Sequence, residues 1–381
     1  MNPFKIISDS LLIDNFFLHP FRHVPGADRW TAQWNFLGTL DLRPRLGSFD
    51  SVWDVGIMPG LQMPLHRPVT DRFDQLMDQR GEEVLRHARS LNKRVHLLWS
   101  GGIDSTAVLV SLLKQAPHPE ELTIVSTSSS IHENSEFYCR YVMNRYPMLH
   151  FDLLRVDDKW FEHNLLLHGD PGDALFGNPM DQPELATRPW RHSIRDISSQ
   201  LESQYSLEHS GAAQQFVRSV SDNLLCTDLA GELKTVAEWW WWMHWNLEYQ
   251  GLVLRYLVYL QNTGSAPHDG LSPEVIEDHV RWTFYNTARF NAWALQRRGH
   301  TLFSHKSAPR EYIWHWDRQD HYYDHKTKIG TITPAGLSRH YNSRCPVVYD
   351  RQLRGHRADD PGSLMYRAVR KLLTDWTLRQ T

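Results

Sequence analysis

Between residues 94 and 177 the apolar positions change spacing in a regular order. Residues 95–99 form an apolar run of the length of a buried parallel strand. The run breaks at Ser100-Gly101-Gly102-Ile103-Asp104-Ser105-Thr106. Apolar positions then resume at helical spacing, with Ala107, Val108, Val110, Leu112 and Leu113 on one broad face. Residues 121–127 are β-branched and predict a second strand, 134–144 a helix, and 149–156 another strand. Strands alternating with helices imply an α/β fold built on a parallel, doubly wound sheet.

The flanking regions differ in texture. Aromatic and proline residues punctuate the first ninety positions (Phe16, Phe17, Pro20, Phe21, Trp30, Trp34, Phe36, Pro44, Trp53). By the usual domain-length prior, residues 1–90 form a small N-terminal module and 91–381 the main domain. Residues 76–90 read as a helix leading into the first strand. Beyond residue 177 the pattern becomes helical, over 236–261, 276–296 and 308–318, giving the main domain a helical C-terminal part. In the first of these, Trp239, Trp240, Trp241, Trp242 and Trp245 cover several faces, which predicts a central buried helix and core packing before any aromatic cage. Residues 264–273, rich in Gly, Ser, Pro and Asp, read as a loop.

The break at 100–106 has the chemistry of an anion site. Gly101 and Gly102 let the backbone approach a ligand, Ser100, Ser105 and Thr106 add hydroxyls, and the following helix points its N-terminal N–H groups and dipole at the same place. Asp104 repels bare phosphate, so its presence calls for magnesium between carboxylate and phosphate oxygens. The G-x-x-x-x-G-K-[ST] spacing of a Walker A loop is absent.

These residues resemble the S-G-G-x-D-S loop of the N-type ATP pyrophosphatases, the PP-loop superfamily, which implies a sheet of the adenine nucleotide α-hydrolase type and cleavage of ATP between the α- and β-phosphates. His168-Gly169-Asp170-Pro171-Gly172-Asp173-Ala174-Leu175-Phe176-Gly177 is similar to the S-G-E-G-A-D-E-L-F-G signature of asparagine synthetase synthase domains, with Gly169, Asp173, Leu175, Phe176 and Gly177 matching outright. By that resemblance Asp104 and Asp173 hold the magnesium, and Asp170 takes the place of a catalytic glutamate. Ser100, Gly101, Gly102, Ser105, Thr106 and Gly169 surround the phosphates. Main-chain groups near Leu98, Val125 and Ser126 meet the adenine. A late lysine stabilises charge on the adenylate, with Lys326 or Lys328 as candidates and Lys306 behind them. Asp170 is one methylene short of glutamate, Pro171 replaces a glycine, and Ala174 replaces the second acidic residue.

The resemblance implies an ATP-dependent, AMP-forming ligase that activates a carboxylate, or an amide or carbonyl oxygen, for attack by an amine or ammonia. Its cofactors are ATP and Mg2+, its partners a small-molecule acid and amine. In glutamine-dependent relatives a cysteine nucleophile follows the initiator methionine; Asn2 stands there, so a separate partner would supply ammonia. Two alternatives keep the loop: a PP-loop enzyme that adenylates a tRNA base or a deazapurine precursor, and an ATP- or AMP-binding module without turnover.

Composition narrows these. Lys and Arg number 41 against 44 Asp and Glu, so no strong global field favours nucleic acid or a membrane surface. No long apolar run predicts a membrane span, and the start of the chain lacks a signal-peptide pattern. Three dispersed cysteines, Cys139, Cys226 and Cys345, suit a reducing cytoplasm and count against tRNA thiolation chemistry that uses a cysteine pair. The 22 histidines are dispersed, without a metal-ligand spacing.

Overall fold

The computed structural model describes residues 69–151, 158–170, 172–176, 187–205, 210–248, 283–301 and 306–320. Residues 1–68 of the expected N-terminal module (1–90), the loop at 264–273 and Cys345 lie outside them. The chain divides into two compact units. One holds described residues between 70 and 170 together with 283–289 and 306–320; the other holds those between 172 and 248 together with 290–301.

The first unit opens with helix α1 (Phe73–Ser90), whose buried residues Phe73, Leu76, Met77, Gly81, Val84, Leu85 and Ala88 recur at three- and four-residue spacing. Strand β1 (Arg94–Leu98) follows, then helix α2 (Ile103–Leu113), β2 (Leu122–Ser126), a short α3 (Ser128–Glu133), β3 (Met148–His150), α4 (Asp158–His163) and β4 (Asn164–His168). Every residue of α2 except Asp104 is buried, as a helix apolar all round must be. It is covered by α1 and by α10 (Ser307–Asp317). At the α1 crossing Ser111 Oγ donates to the Met77 carbonyl at 2.6 Å.

All four strands are parallel, in the order β3-β2-β1-β4. Leu97 and Leu98 pair with Ile124 and Val125 on one side and with Leu167 and His168 on the other. Beyond β4, Thr283 adds a parallel bridge to His168, and Phe284 N–H donates to the His168 carbonyl at 3.0 Å. The chain steps outward through β1, β2 and β3 and then returns to the far side of β1. The strand order therefore reverses between β1 and β4, the place in an open α/β sheet where a crevice forms at the strands' carboxyl ends.

Two elements depart from expectation. The helix expected over 134–144 is one turn, Ser135–Phe137, widening into a π-helical turn at Tyr138–Val142. Phe137, Tyr138, Cys139 and Val142 are all buried there. The strand expected over 149–156 is described only as Met148–His150; residues 152–157 lie outside the described set.

The second unit is helical. It contains α5 (Gly172–Phe176), a 3-10 turn at Trp190–His192, α6 (Ile194–Tyr205), α7 (Ser210–Leu225), α8 (Val236–Met243) and the part of α9 (Ala288–Thr301) from Phe290 onward. Helix α8 starts at a capping box: Thr235 Oγ1 accepts from Glu238 N–H at 3.3 Å, and the Glu238 carboxylate accepts from Thr235 N–H at 2.8 Å. It runs into a π-helical turn at His244–Glu248. Trp239, Trp241, Trp242 and Trp245 are fully buried. The Trp239 indole donates to Ser221 Oγ, Trp241 to the Leu175 carbonyl and Trp245 to Asn291 Oδ1. Within the described part, the tryptophan run is core. No helix among the described residues is long and apolar enough to cross a membrane.

Candidate nucleotide site

The loop after β1 is tied down by its own serines. Trp99 N–H continues the ladder to the Val125 carbonyl at 2.8 Å. Ser105 Oγ then accepts from Ser100 N–H at 3.1 Å and lies 2.9 Å from Ser100 Oγ. Gly101 takes φ +73°, and a Cβ there would run into the Ser130 carbonyl oxygen of α3; the position requires glycine on both counts. Gly102 caps α2, and Asp104 occupies its first turn, where the helix dipole favours a negative charge.

Asp104 is the focus of the unit's charge. Lys306 Nζ stands 2.5 Å from Asp104 Oδ2, with side-chain exposures of 16% and 19%. The buried Tyr285 hydroxyl donates to the Asp104 main-chain carbonyl at 3.0 Å. Burial, then the Asp104 charge, pushes the Tyr285 phenol well above its ordinary range, so it remains a donor. Lys306 is the residue before α10 and adopts a left-handed conformation, φ 62°. That helix is held by Tyr312, whose hydroxyl donates to Asp78 Oδ1 at 2.5 Å, while Lys114 pairs with the same carboxylate at 2.6 Å and lies over the Tyr312 ring. Arg310, one turn beyond Lys306, is half-buried. Burial lowers its guanidinium pKa and the Asp104 charge opposes that shift.

The loop after β4 lies against the same place. The pairing of Leu98 with His168 sets the two strand ends side by side. A Cβ on Gly169 would sit 3.1 Å from Ser105 Cα and N, so the second loop passes directly over the first turn of α2. His168 is fully buried, which pulls its imidazole down to about 3 and keeps it neutral. Asp170 Oδ2 lies 3.9 Å from His168 Nδ1, and the Asp170 side chain is 47% exposed.

The unit thus brings together Ser100, Gly101, Gly102, Asp104, Ser105, Gly169 and Asp170. Thr106 is placed differently from its neighbours in the loop. Its hydroxyl turns inward, buried, and accepts from Trp99 Nε1 at 3.1 Å and Asn134 Nδ2 at 3.3 Å, because both buried donors need an acceptor. Leu98, Val125 and Ser126 are buried at the strand ends; the Val125 carbonyl serves Trp99, and Ser126 Oγ donates to the Trp99 carbonyl at 2.9 Å. The Asp173 side chain, Lys326 and Lys328 lie outside the described residues. Lys306, the one of the three candidate lysines among the described residues, stands at Asp104. Tyr285 and Arg310 were not anticipated. Neither carries a signal in the sequence pattern.

Among the described residues no three His, Cys, Asp or Glu side chains gather to hold a metal. Asp104 offers one hard oxygen donor beside a loop of N–H groups. Magnesium commonly takes one or two carboxylates and completes its shell with water and substrate phosphate, so this donor set fits an ion that arrives with phosphate. Compared with protein families, curated proteins and solved structures, the chain matches none.

Proposed function

We propose that this chain is an ATP-dependent, AMP-forming ligase of the PP-loop kind, built on a doubly wound sheet of the adenine nucleotide α-hydrolase type and closest in plan to the synthase domain of asparagine synthetase. The observation that carries the reading is the pairing of Leu98 with His168. It sets the two loops picked out by sequence at one reversal of strand order, and Lys306 reaches that place from 202 residues beyond Asp104 in the chain.

The residues divide the work as follows. The 100–105 loop and the start of α2 present N–H groups and hydroxyls to the phosphate chain. Asp104 would hold magnesium, which when bound supplies positive charge against phosphate oxygens. Lys306, already beside Asp104, places its ammonium where pyrophosphate charge develops. Gly169 lets the second loop approach the first. Asp170, half-exposed next to a neutral imidazole, accepts a proton from an attacking amine or ammonia. The acceptor is a small carboxylic acid, or a carbonyl or amide oxygen, whose adenylate the amine then resolves. A separate protein supplying ammonia is compatible with this division.

The test uses α-phosphate-labelled ATP and a desalted pool of cell metabolites, with and without ammonia, on wild type and Asp104→Asn. AMP formed in a pool-dependent way by wild type and not by the variant supports the reading. ADP as the labelled product, or equal AMP from both proteins, removes it.

A further inference from the structure

Asn286 carries a buried donor that meets no acceptor among the described residues: it is 3% exposed and its side-chain nitrogen makes no hydrogen bond. An unpaired buried N–H destabilises the folded chain, and native structures avoid one unless water, an ion or a ligand completes the bond. The turn that carries it is anchored at three points. Arg80 Nε of α1 donates to the Phe284 carbonyl at 3.1 Å, Phe284 N–H donates to the His168 carbonyl of β4, and the Tyr285 hydroxyl donates to the Asp104 carbonyl of α2. Asn286 N–H closes the turn on the Thr283 carbonyl at 3.2 Å.

The sheet fixes where this turn lies. The bridge of Thr283 to His168 is parallel and falls on the last residue of β4, so residues 284–286 leave the sheet at the same edge as Gly169 and Asp170. Three connections then follow one another along the carboxyl edge at strand spacings of about 4.8 Å: the 100–105 loop after β1, the 169–170 loop after β4, and the 284–286 turn. With phosphates on the first loop and Asp170 in the second, the acid joined to the α-phosphorus extends toward the third.

We infer that Asn286 is a substrate-binding residue whose side-chain N–H donates to an oxygen of the acid that is activated. The inference rests on the ligase reading above and adds the place where the acid is held. A carboxamide suits the task. Being neutral, it orients a carboxylate without neutralising it, so the oxygen stays nucleophilic toward the α-phosphorus. The same N–H then stabilises the charge that develops on the carbonyl oxygen when the amine attacks.

Three measurements on the full chain test this with wild type, Asn286→Leu and Asn286→Ala. They are the melting temperature of the free protein, the affinity for α,β-methylene-ATP with magnesium, and AMP formation from labelled ATP over a dilution series of the desalted metabolite pool. Asn286→Leu removes the unpaired donor at similar volume, so the free protein should melt at the wild-type temperature or above it. Its nucleotide affinity should be unchanged, while the pool concentration for half-maximal AMP formation rises roughly ten- to a hundredfold, the scale of a hydrogen bond to a charged group. Asn286→Ala leaves room for a water and should show a smaller rise, several-fold. An unchanged pool requirement in both variants overturns the inference, and so does a parallel loss of nucleotide affinity, which marks a role in holding the turn. If the leucine variant melts early, the alanine variant decides alone, and a wild-type pool requirement in it overturns the assignment. A wild type that forms no AMP from the pool defeats the ligase reading itself and the inference with it, an outcome distinct from the others.

Discussion

Lys306 and Asp104, 202 residues apart in the chain, meet at 2.5 Å with most of both side chains buried. Removing one partner leaves the other charge buried without its counter-ion. Asp104→Asn and Lys306→Met should each lower unfolding free energy by roughly 1–3 kcal/mol, and the double variant should lose less than the sum. Urea unfolding of the four proteins measures the coupling. Strict additivity would mean that the contact contributes nothing to the folded state.

Thr106 distinguishes a packing role from a ligand role in the loop. Its hydroxyl accepts from two buried donors, Trp99 Nε1 and Asn134 Nδ2. Thr106→Val keeps the shape and strands both donors, so thermal or urea unfolding should show a loss of about 2–3 kcal/mol. Nucleotide affinity of the folded variant should stay near wild type. A stable variant with poor nucleotide binding would return Thr106 to the ligand.

The buried histidines set an acid limit. Burial lowers His96 to about 4 and His168 to about 3, from 6.5. Between those values and about 6.5 the unfolded chain binds protons that the folded chain refuses, so stability rises with pH over that interval. Falling pH therefore destabilises the protein from about 6.5 downward, by up to ~1.4 kcal/mol per pH unit for each imidazole. His96→Phe, which keeps an aromatic ring against Trp160, should flatten the slope between pH 6.5 and 5 in urea unfolding. An unchanged slope would assign the acid sensitivity to other groups.

Asp170 separates the two chemical steps of the proposed reaction. Placed to accept a proton from the amine, it is not needed for departure of pyrophosphate. Asp170→Ala should retain much of the pyrophosphate formation and lose amide formation by a factor on the order of 10²–10⁴, the usual range for a general base. Product analysis with the identified acceptor reads both yields. Equal loss of the two removes Asp170 from the base role.

Much of the first unit is legible in sequence because local and global demands agree there. A five-residue, mostly apolar run bounded by a glycine break has the length of a strand buried on both faces, and two glycines followed by an acidic first turn suit a helix start beneath an anion loop. The helix expected over 134–144 is found as the helical turns Ser135–Phe137 and Tyr138–Val142, and its widening into a π-helical turn is the part that composition does not encode. The lysine was ambiguous for another reason. Lys306, Lys326 and Lys328 offer the same chemistry, and what brings Lys306 to Asp104 is the anchoring of α10 by Tyr312 and Asp78, a contact spanning 234 residues. Tyr285 lies in a segment without periodicity, and its donation to the Asp104 carbonyl follows from the bridge of Thr283 to β4, which single-chain patterning does not encode.

The central claim is that the loop after β1 binds the phosphates of ATP, and Gly101 tests it with least disturbance to other chemistry. Gly101→Ala adds one methyl group against the Ser130 carbonyl at a positive φ, distorting the loop while every charged group is kept. Equilibrium titration of wild type and variant with α,β-methylene-ATP and magnesium, on samples shown by circular dichroism to be folded, is the measurement. The account predicts binding by wild type and a loss of tenfold or more, about 1.4 kcal/mol, in the variant. Equal affinity in the two proteins, or no binding by wild type, would contradict it.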